Sequence, residues 1–108
     1  MEGTRKMIDL LDSKRVEIAA LCRRYHVRRL EVFGSAVGEH FDPQTSDLDF
    51  LVDFYPLSPS ESAEAYFGLL EALQALLQRP VDLVMTRAIR NPYFLQAIEH
   101  SREVLYAA

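Results

Sequence analysis

The stretch Asp47-Leu48-Asp49-Phe50-Leu51-Val52-Asp53-Phe54 constrains the fold more than any other part of the chain. Leu48, Phe50, Val52 and Phe54 alternate with Asp47, Asp49, Leu51 and Asp53, the period of two that marks a strand with two unlike faces. One face is apolar and must lie on a core; the other opens with two carboxylates. Side chains two apart on a strand leave the sheet in the same direction, so Asp47 and Asp49 are expected to converge with their backbones about 7 Å apart. Two carboxylates so placed repel unless a proton or a cation compensates, and a hard divalent ion with oxygen ligands, Mg²⁺ first, fits the pair. A plainer reading is an acidic strand end kept wet against edge-to-edge association.

Upstream, Leu30-Glu31-Val32-Phe33 reads as the end of a first strand over Arg28–Phe33, and Gly34-Ser35 follows where that strand must turn. A glycine there lets the backbone approach a ligand with no Cβ in the way, and Ser35 adds a hydroxyl and an N–H suited to phosphate. Residues 35–46, with Gly38 and Pro43, form a loop; His40 within it is read as a solvent-facing residue.

Around these strands the chain alternates helix and strand. Leu11, Ile18, Cys22 and Tyr25 recur at helical spacing and predict an amphipathic helix from about Met7 to Tyr25, with Arg23-Arg24 favouring its C-terminal end. Ser60 is a candidate cap for a second helix running to about Gln78, with Ala63, Phe67, Leu70, Leu73 and Leu77 as its apolar stripe. Pro80 ends that helix, and Val81-Asp82-Leu83-Val84-Met85 predicts a short strand whose one acid is either a ligand or a carboxylate facing water. Asn91-Pro92 opens a last helix to about His100, and Glu103-Val104-Leu105-Tyr106 closes the chain as a strand or extended tail.

With 108 residues this is expected to be one domain with one core, residues 1–108. The single cysteine, Cys22, excludes an internal disulfide and falls among apolar helix positions as core filling. No apolar run reaches the length of a signal peptide or a membrane span, so the expected setting is cytoplasmic with no membrane partner. The net charge of −4 hides an asymmetry: residues 1–29 hold eight Lys/Arg against four Asp/Glu, residues 30–108 four against twelve. An acidic body argues against direct nucleic-acid binding, while the basic N-terminal helix could face an acidic partner.

Gly34-Ser35, eleven intervening residues and Asp47-x-Asp49 on an apolar strand resemble the signature of the polymerase-β-type nucleotidyltransferases, and the small size resembles their minimal branch. The resemblance implies an α/β (α+β) fold, a small mixed β-sheet flanked by helices. It also implies that Asp82 is the third carboxylate, that Asp47, Asp49 and Asp82 hold two Mg²⁺ ions, and that Gly34 and Ser35 hold the triphosphate of ATP. It implies a Mg²⁺-dependent nucleotidyltransferase, an antitoxin of the HEPN and MNT type that transfers AMP to a tyrosine of a helical RNase toxin within a hetero-oligomer. In that complex the basic N-terminal helix or Val104-Leu105-Tyr106 could supply contacts. Two other functions compete: a binding module that only masks its partner, and a transferase acting on a small-molecule acceptor. The chain departs from the family pattern where a basic residue often follows the serine, since Val37 and Gly38 stand there; Arg5, Lys6 or Arg87 could substitute.

Overall fold

The computed structural model describes residues 11–33, 48–86, 92–93, 96 and 102–108. Within them the elements are α1 (Arg15–Arg24), β1 (Val27–Phe33), β2 (Leu48–Phe54), α2 (Pro59–Leu77), β3 (Val81–Met85) and β4 (Glu103–Ala107). The four strands form one mixed sheet in the order β3-β2-β1-β4. β1 is antiparallel to both β2 and β4, whereas β2 and β3 run parallel, as they must when a helix, here α2, carries the chain across. The expected α/β class with a small mixed sheet is the observed one.

One face of the sheet supports the core. Leu48, Phe50, Val52 and Phe54, the apolar half of the alternation in β2, are all buried, and Leu30, Val32, Val81, Leu83 and Leu105 extend the layer across the other strands. Ile18 and Cys22 of α1 and Ala65, Leu69, Leu73 and Leu77 of α2 cover it. Each large apolar side chain fully removed from water here contributes about 1.5–3 kcal/mol, which makes β2 the main apolar support of the molecule. Burial also pushes the Cys22 thiol up to about 12, so it stays protonated and serves as packing.

The apolar stripe of α2 differs from the one expected. Leu73 and Leu77 are buried as expected, but Ala63 and Phe67 are exposed, Phe67 at 59%, and Ala65 and Leu69 take their places. Residues four apart advance about 40° around a helix, so the row 65-69-73-77 winds slowly over the sheet and leaves position 67 on the far side. The Phe67 ring instead meets Tyr66 edge-on, 5.1 Å between centroids.

The N-cap of α2 is Ser58, not Ser60. Ser58 Oγ accepts from the Glu61 backbone N–H at 3.3 Å, and the Glu61 carboxylate accepts from the Ser58 N–H at 3.2 Å, with Pro59 at the first helical position. This reciprocal pair satisfies two end donors at once, and the hydrogen bonds from Ser58 hold the Glu61 carboxyl below its ordinary range. At the other end Gln78 takes the left-handed conformation, φ 54°, and caps onto Gln74 O. Gln74 Oε1 then accepts from Val81 N at 3.3 Å, tying the end of α2 to the start of β3.

The first strand begins at Val27, one residue before the expected start, because a register shift between Val27 and Arg29 turns Val27 into the core. The first helix is described from Leu11, itself in the core, with the regular run starting at Arg15; Met7–Leu10 lie outside the described residues. The last expected helix also lies outside them except at Pro92, Tyr93 and Gln96, which are helical. The C-terminal segment is strand β4, and its Leu105 is core, so of the expected contact triad Val104 is the exposed member at 41%. Among the described residues, no helix is long and apolar enough to cross a membrane.

Candidate active site

The second face of the sheet carries the expected acids Asp49 and Asp82. On β2 this face presents Asp49, Leu51 and Asp53; on β1 Arg29, Glu31 and Phe33; on β3 Asp82 and Val84. Phe33 and Leu51 are buried and pack with Val84 into a small second core. At one margin of it the parallel register sets Asp49 directly beside Asp82, while Asp49 pairs on its other side with Phe33. Adjacent strands lie about 4.8 Å apart, so the two carboxylates leave the same face at neighbouring positions. Asp49 is half-buried and Asp82 exposed.

Main-chain bonds fix this end of the sheet. Leu48 N donates to Pro80 O at 3.2 Å, locking the starts of β2 and β3 together just ahead of the two acids. Gln74 holds Val81, and at the far end of β3 the Thr86 hydroxyl donates to Val52 O at 3.3 Å. A cavity of about 460 Å³ opens here, lined by Phe33, Asp49, Asp82 and Val84 together with Tyr66 and Leu70 from α2. The Tyr66 hydroxyl donates to Leu83 O at 2.6 Å, bringing an aromatic ring from α2 to the edge strand.

The other acid on this face of β2, Asp53, is committed elsewhere: Arg28 donates to its Oδ2 from Nε at 2.9 Å and from Nη2 at 2.7 Å. Glu31 is buried, 3% exposed, between two guanidiniums. Arg102 donates to it from Nε at 2.7 Å and from Nη2 at 3.1 Å, and Arg29 Nε donates at 2.6 Å. Burial alone would raise the Glu31 carboxyl, but the hydrogen bonds and charges of Arg102 and Arg29 outweigh it and hold it below its ordinary range.

Of the expected site residues, the structure therefore brings Asp49 and Asp82 together. Asp47, Gly34 and Ser35 lie outside the described residues, as do His40, Arg5, Lys6 and Arg87. Among the described residues no cluster of three or more His, Cys, Asp or Glu gathers as a metal site. The pair itself offers only carboxylate oxygens, a donor set that suits a hard cation such as Mg²⁺ and does not suit a soft one. Tyr66 is not legible in the sequence as a site residue, because its place in an apolar helix reads as packing. The available signal is the helical offset between Tyr66 and the buried row at 65 and 69.

The nucleotidyltransferase domain family model matches residues 17–105, which spans nearly every element described above. The chain belongs to this family of nucleotidyltransferases. It is 34% identical to "Putative protein adenylyltransferase MJ0128" of Methanocaldococcus jannaschii over 91 residues, 84% of this chain and 89% of that relative. It is 38% identical to "Putative protein adenylyltransferase MJ1217" of the same organism over 80 residues, 73% of this chain and 76% of the relative. Among solved structures, a "putative minimal nucleotidyltransferase" superposes with a TM-score of 0.69 at 29% identity, covering 88% of this chain and 92% of that one. A chain from the complex of tri-AMPylated Shewanella oneidensis HEPN toxin with MNT antitoxin shares the fold, with a TM-score of 0.61 at 22% identity over 91% of this chain and 73% of that one.

Proposed function

We propose that this chain acts as a single-domain, Mg²⁺-dependent protein adenylyltransferase that moves AMP from ATP to a tyrosine of a cognate HEPN-type RNase toxin in the cytoplasm, and thereby acts as its antitoxin. The observation that carries the reading is the in-register placement of Asp49 and Asp82 on one face of parallel strands, beside a cavity large enough for a small ligand. Membership of the nucleotidyltransferase family gives the reaction type. The relatives named as protein adenylyltransferases support a protein acceptor, and the fold shared with a chain of the HEPN–MNT complex supports the class of partner.

In the proposed reaction the acceptor hydroxyl oxygen bonds to the α-phosphorus of ATP, the bond from that phosphorus to the bridging oxygen breaks, and pyrophosphate leaves. The hydroxyl proton passes to solvent or to a carboxylate. Asp47 and Asp49 would hold the two Mg²⁺ ions, and Asp82, on the exposed edge strand, would share the ion nearer the acceptor. Those ions would neutralise phosphate charge and align attack and departure. Gly34 and Ser35 would hold the triphosphate tail. Asp82 is the more exposed of the pair, which leaves room on its side for an incoming protein side chain.

Co-expression with a HEPN-type protein encoded beside it, followed by the intact mass of that protein, tests the reading. A gain of whole AMP units that disappears with Asp49→Asn is the expected result. A complex with no mass gain would replace the enzyme by a masking module. No complex at all, with ATP still consumed, would point to a small-molecule acceptor.

A further inference from the structure

The two helices that cover the core face of the sheet carry opposite charge. The outer side of α1 holds Arg23 and Arg24 together with Val16 and Ala20, all exposed, Val16 at 78%. α2 contains Glu61, Glu64 and Glu71 and no lysine or arginine. The exposed Phe67 stands on its outer side with Glu64 three residues before it and Glu71 four after, so the ring lies between two carboxylates on one stripe. Arg15, Arg28, Arg29 and Arg102 are each paired with a carboxylate of the chain. Among the described residues no carboxylate pairs with Arg23 or Arg24 and no cation with Glu64 or Glu71; Arg24 lies over the Tyr25 ring, 5.5 Å from its centroid.

The seam between the helices sets the level of these groups. The Tyr25 ring, at the end of α1, packs against Gly68 of α2. Arg23 and Arg24 immediately precede Tyr25, and Phe67 immediately precedes Gly68, so the guanidiniums stand level with the stripe of Glu64, Phe67 and Glu71 to within about one helical turn, 5.4 Å. Both stripes point away from the sheet, so within one chain they face outward. A second copy turned about a two-fold axis along the seam keeps each group at its level and lays α1 of one copy over α2 of the other. Arg23 and Arg24 then meet Glu64, Phe67 and Glu71 twice, and each aromatic ring with its flanking carboxylates receives a guanidinium. A two-fold axis across the seam would instead set α1 on α1 and like charge on like, which repulsion disfavours.

We propose that the outer face of α1 and α2 is the interface of a two-fold dimer of this chain, in which Arg23 and Arg24 of each copy engage Glu64, Phe67 and Glu71 of the other. A second copy is the occupant because the chain itself supplies both halves of the complement at matching level. Two helices per copy make a contact at the small end of specific interfaces, below about 1,200 Å² in all, so the dimer is weak and reversible. It leaves the second face of the sheet, with Asp49 and Asp82, open to reactants, and it stands whether or not the chain transfers AMP.

The test is sedimentation velocity of the full-length chain alone over a concentration series, with two charge-reversed variants: Arg23→Glu with Arg24→Glu, and Glu64→Lys with Glu71→Lys. The wild type should pass from monomer to dimer as concentration rises, and salt at about 1 M, where the screening length falls to about 3 Å, should weaken the dimer. Each variant alone should be monomeric, because reversal sets like charges together at both contacts. An equal mixture of the two should dimerise again, since α1 of each then meets α2 of opposite charge in the other. Phe67→Ser should weaken the wild-type dimer by about tenfold or more with an unchanged melting temperature. Should a reversed variant fail to fold, Phe67→Ser decides: undiminished dimerisation overturns the proposal. A wild type that stays monomeric up to about 1 mM overturns it, and so does a mixture that stays monomeric. A wild type that is monomeric alone but loses a HEPN-type partner in both variants overturns it too, and assigns the face to that partner.

Discussion

Asp49 and Asp82 are neighbours across the parallel β2–β3 pair, whose strand starts are joined by the bond from Leu48 N to Pro80 O. Two carboxylates held this close on a fixed sheet repel each other, and a cation bound between them would turn that repulsion into attraction. Asp49→Asn and Asp82→Asn should each lower nucleotidyl transfer by more than about 100-fold, the scale on which one electrostatic contact to a transition state is lost. In metal-free buffer Asp82→Asn, at an exposed position, should not lower the melting temperature. An assay of transfer beside a thermal melt reads both effects.

Glu31 predicts a pH dependence of stability. Its carboxyl sits below its ordinary range in the folded protein because Arg102 and Arg29 overcome the cost of burial. A group whose folded pKa is depressed contributes stability above its unfolded pKa, about 4.3, and loses that contribution as pH falls through the folded value. Glu31→Gln should therefore destabilise the protein at pH 7 by about 1.5–3 kcal/mol, the scale of hydrogen bonds to a charged group. The difference between wild type and variant in urea unfolding should shrink once the pH drops below about 4.3. A difference constant from pH 7 to pH 3 would contradict the assigned role.

Ser58→Ala removes the acceptor for the Glu61 N–H at the start of α2. The expected loss is about 1 kcal/mol, with Ser60→Ala close to neutral. Equal losses from the two variants in denaturant melts would contradict the assignment of the cap.

Gly68 sits on α2 where the Tyr25 ring crosses it, and a Cβ there would run into the ring at Cε1. Alanine normally gains about 1 kcal/mol over glycine inside a helix. Gly68→Ala should instead destabilise, by up to about 2 kcal/mol, because overpacking forces Tyr25 to move. A rise in melting temperature would show that the ring yields freely.

The alternation in Asp47–Phe54 is legible in the sequence because apolar residues at every second position suit a two-faced strand and no helix, and it marks the core face at Leu48, Phe50, Val52 and Phe54 and leaves Asp49 on the opposite one. Asp82 reads on its own only as one acid in an apolar strand; its partner becomes visible through the parallel register, a property of the folded sheet. Phe67 misleads because size suggests burial, whereas the helix turns Ala65 and Leu69 inward. The cap at Ser58 is legible after all: Ser58-Pro59 followed by Glu61 spells a capping box with proline at the first position. Glu31 and Arg102 are 71 residues apart in sequence, so no local pattern could join them.

The most direct measurement of the central claim is the transfer of label from α-phosphate-labelled ATP to a purified HEPN-type partner, with and without Mg²⁺, by the wild type and by Asp82→Asn. Labelled partner is expected only with wild type and Mg²⁺. Equal labelling by Asp82→Asn, or labelling that persists when the metal is chelated, would contradict the two-carboxylate, metal-dependent site.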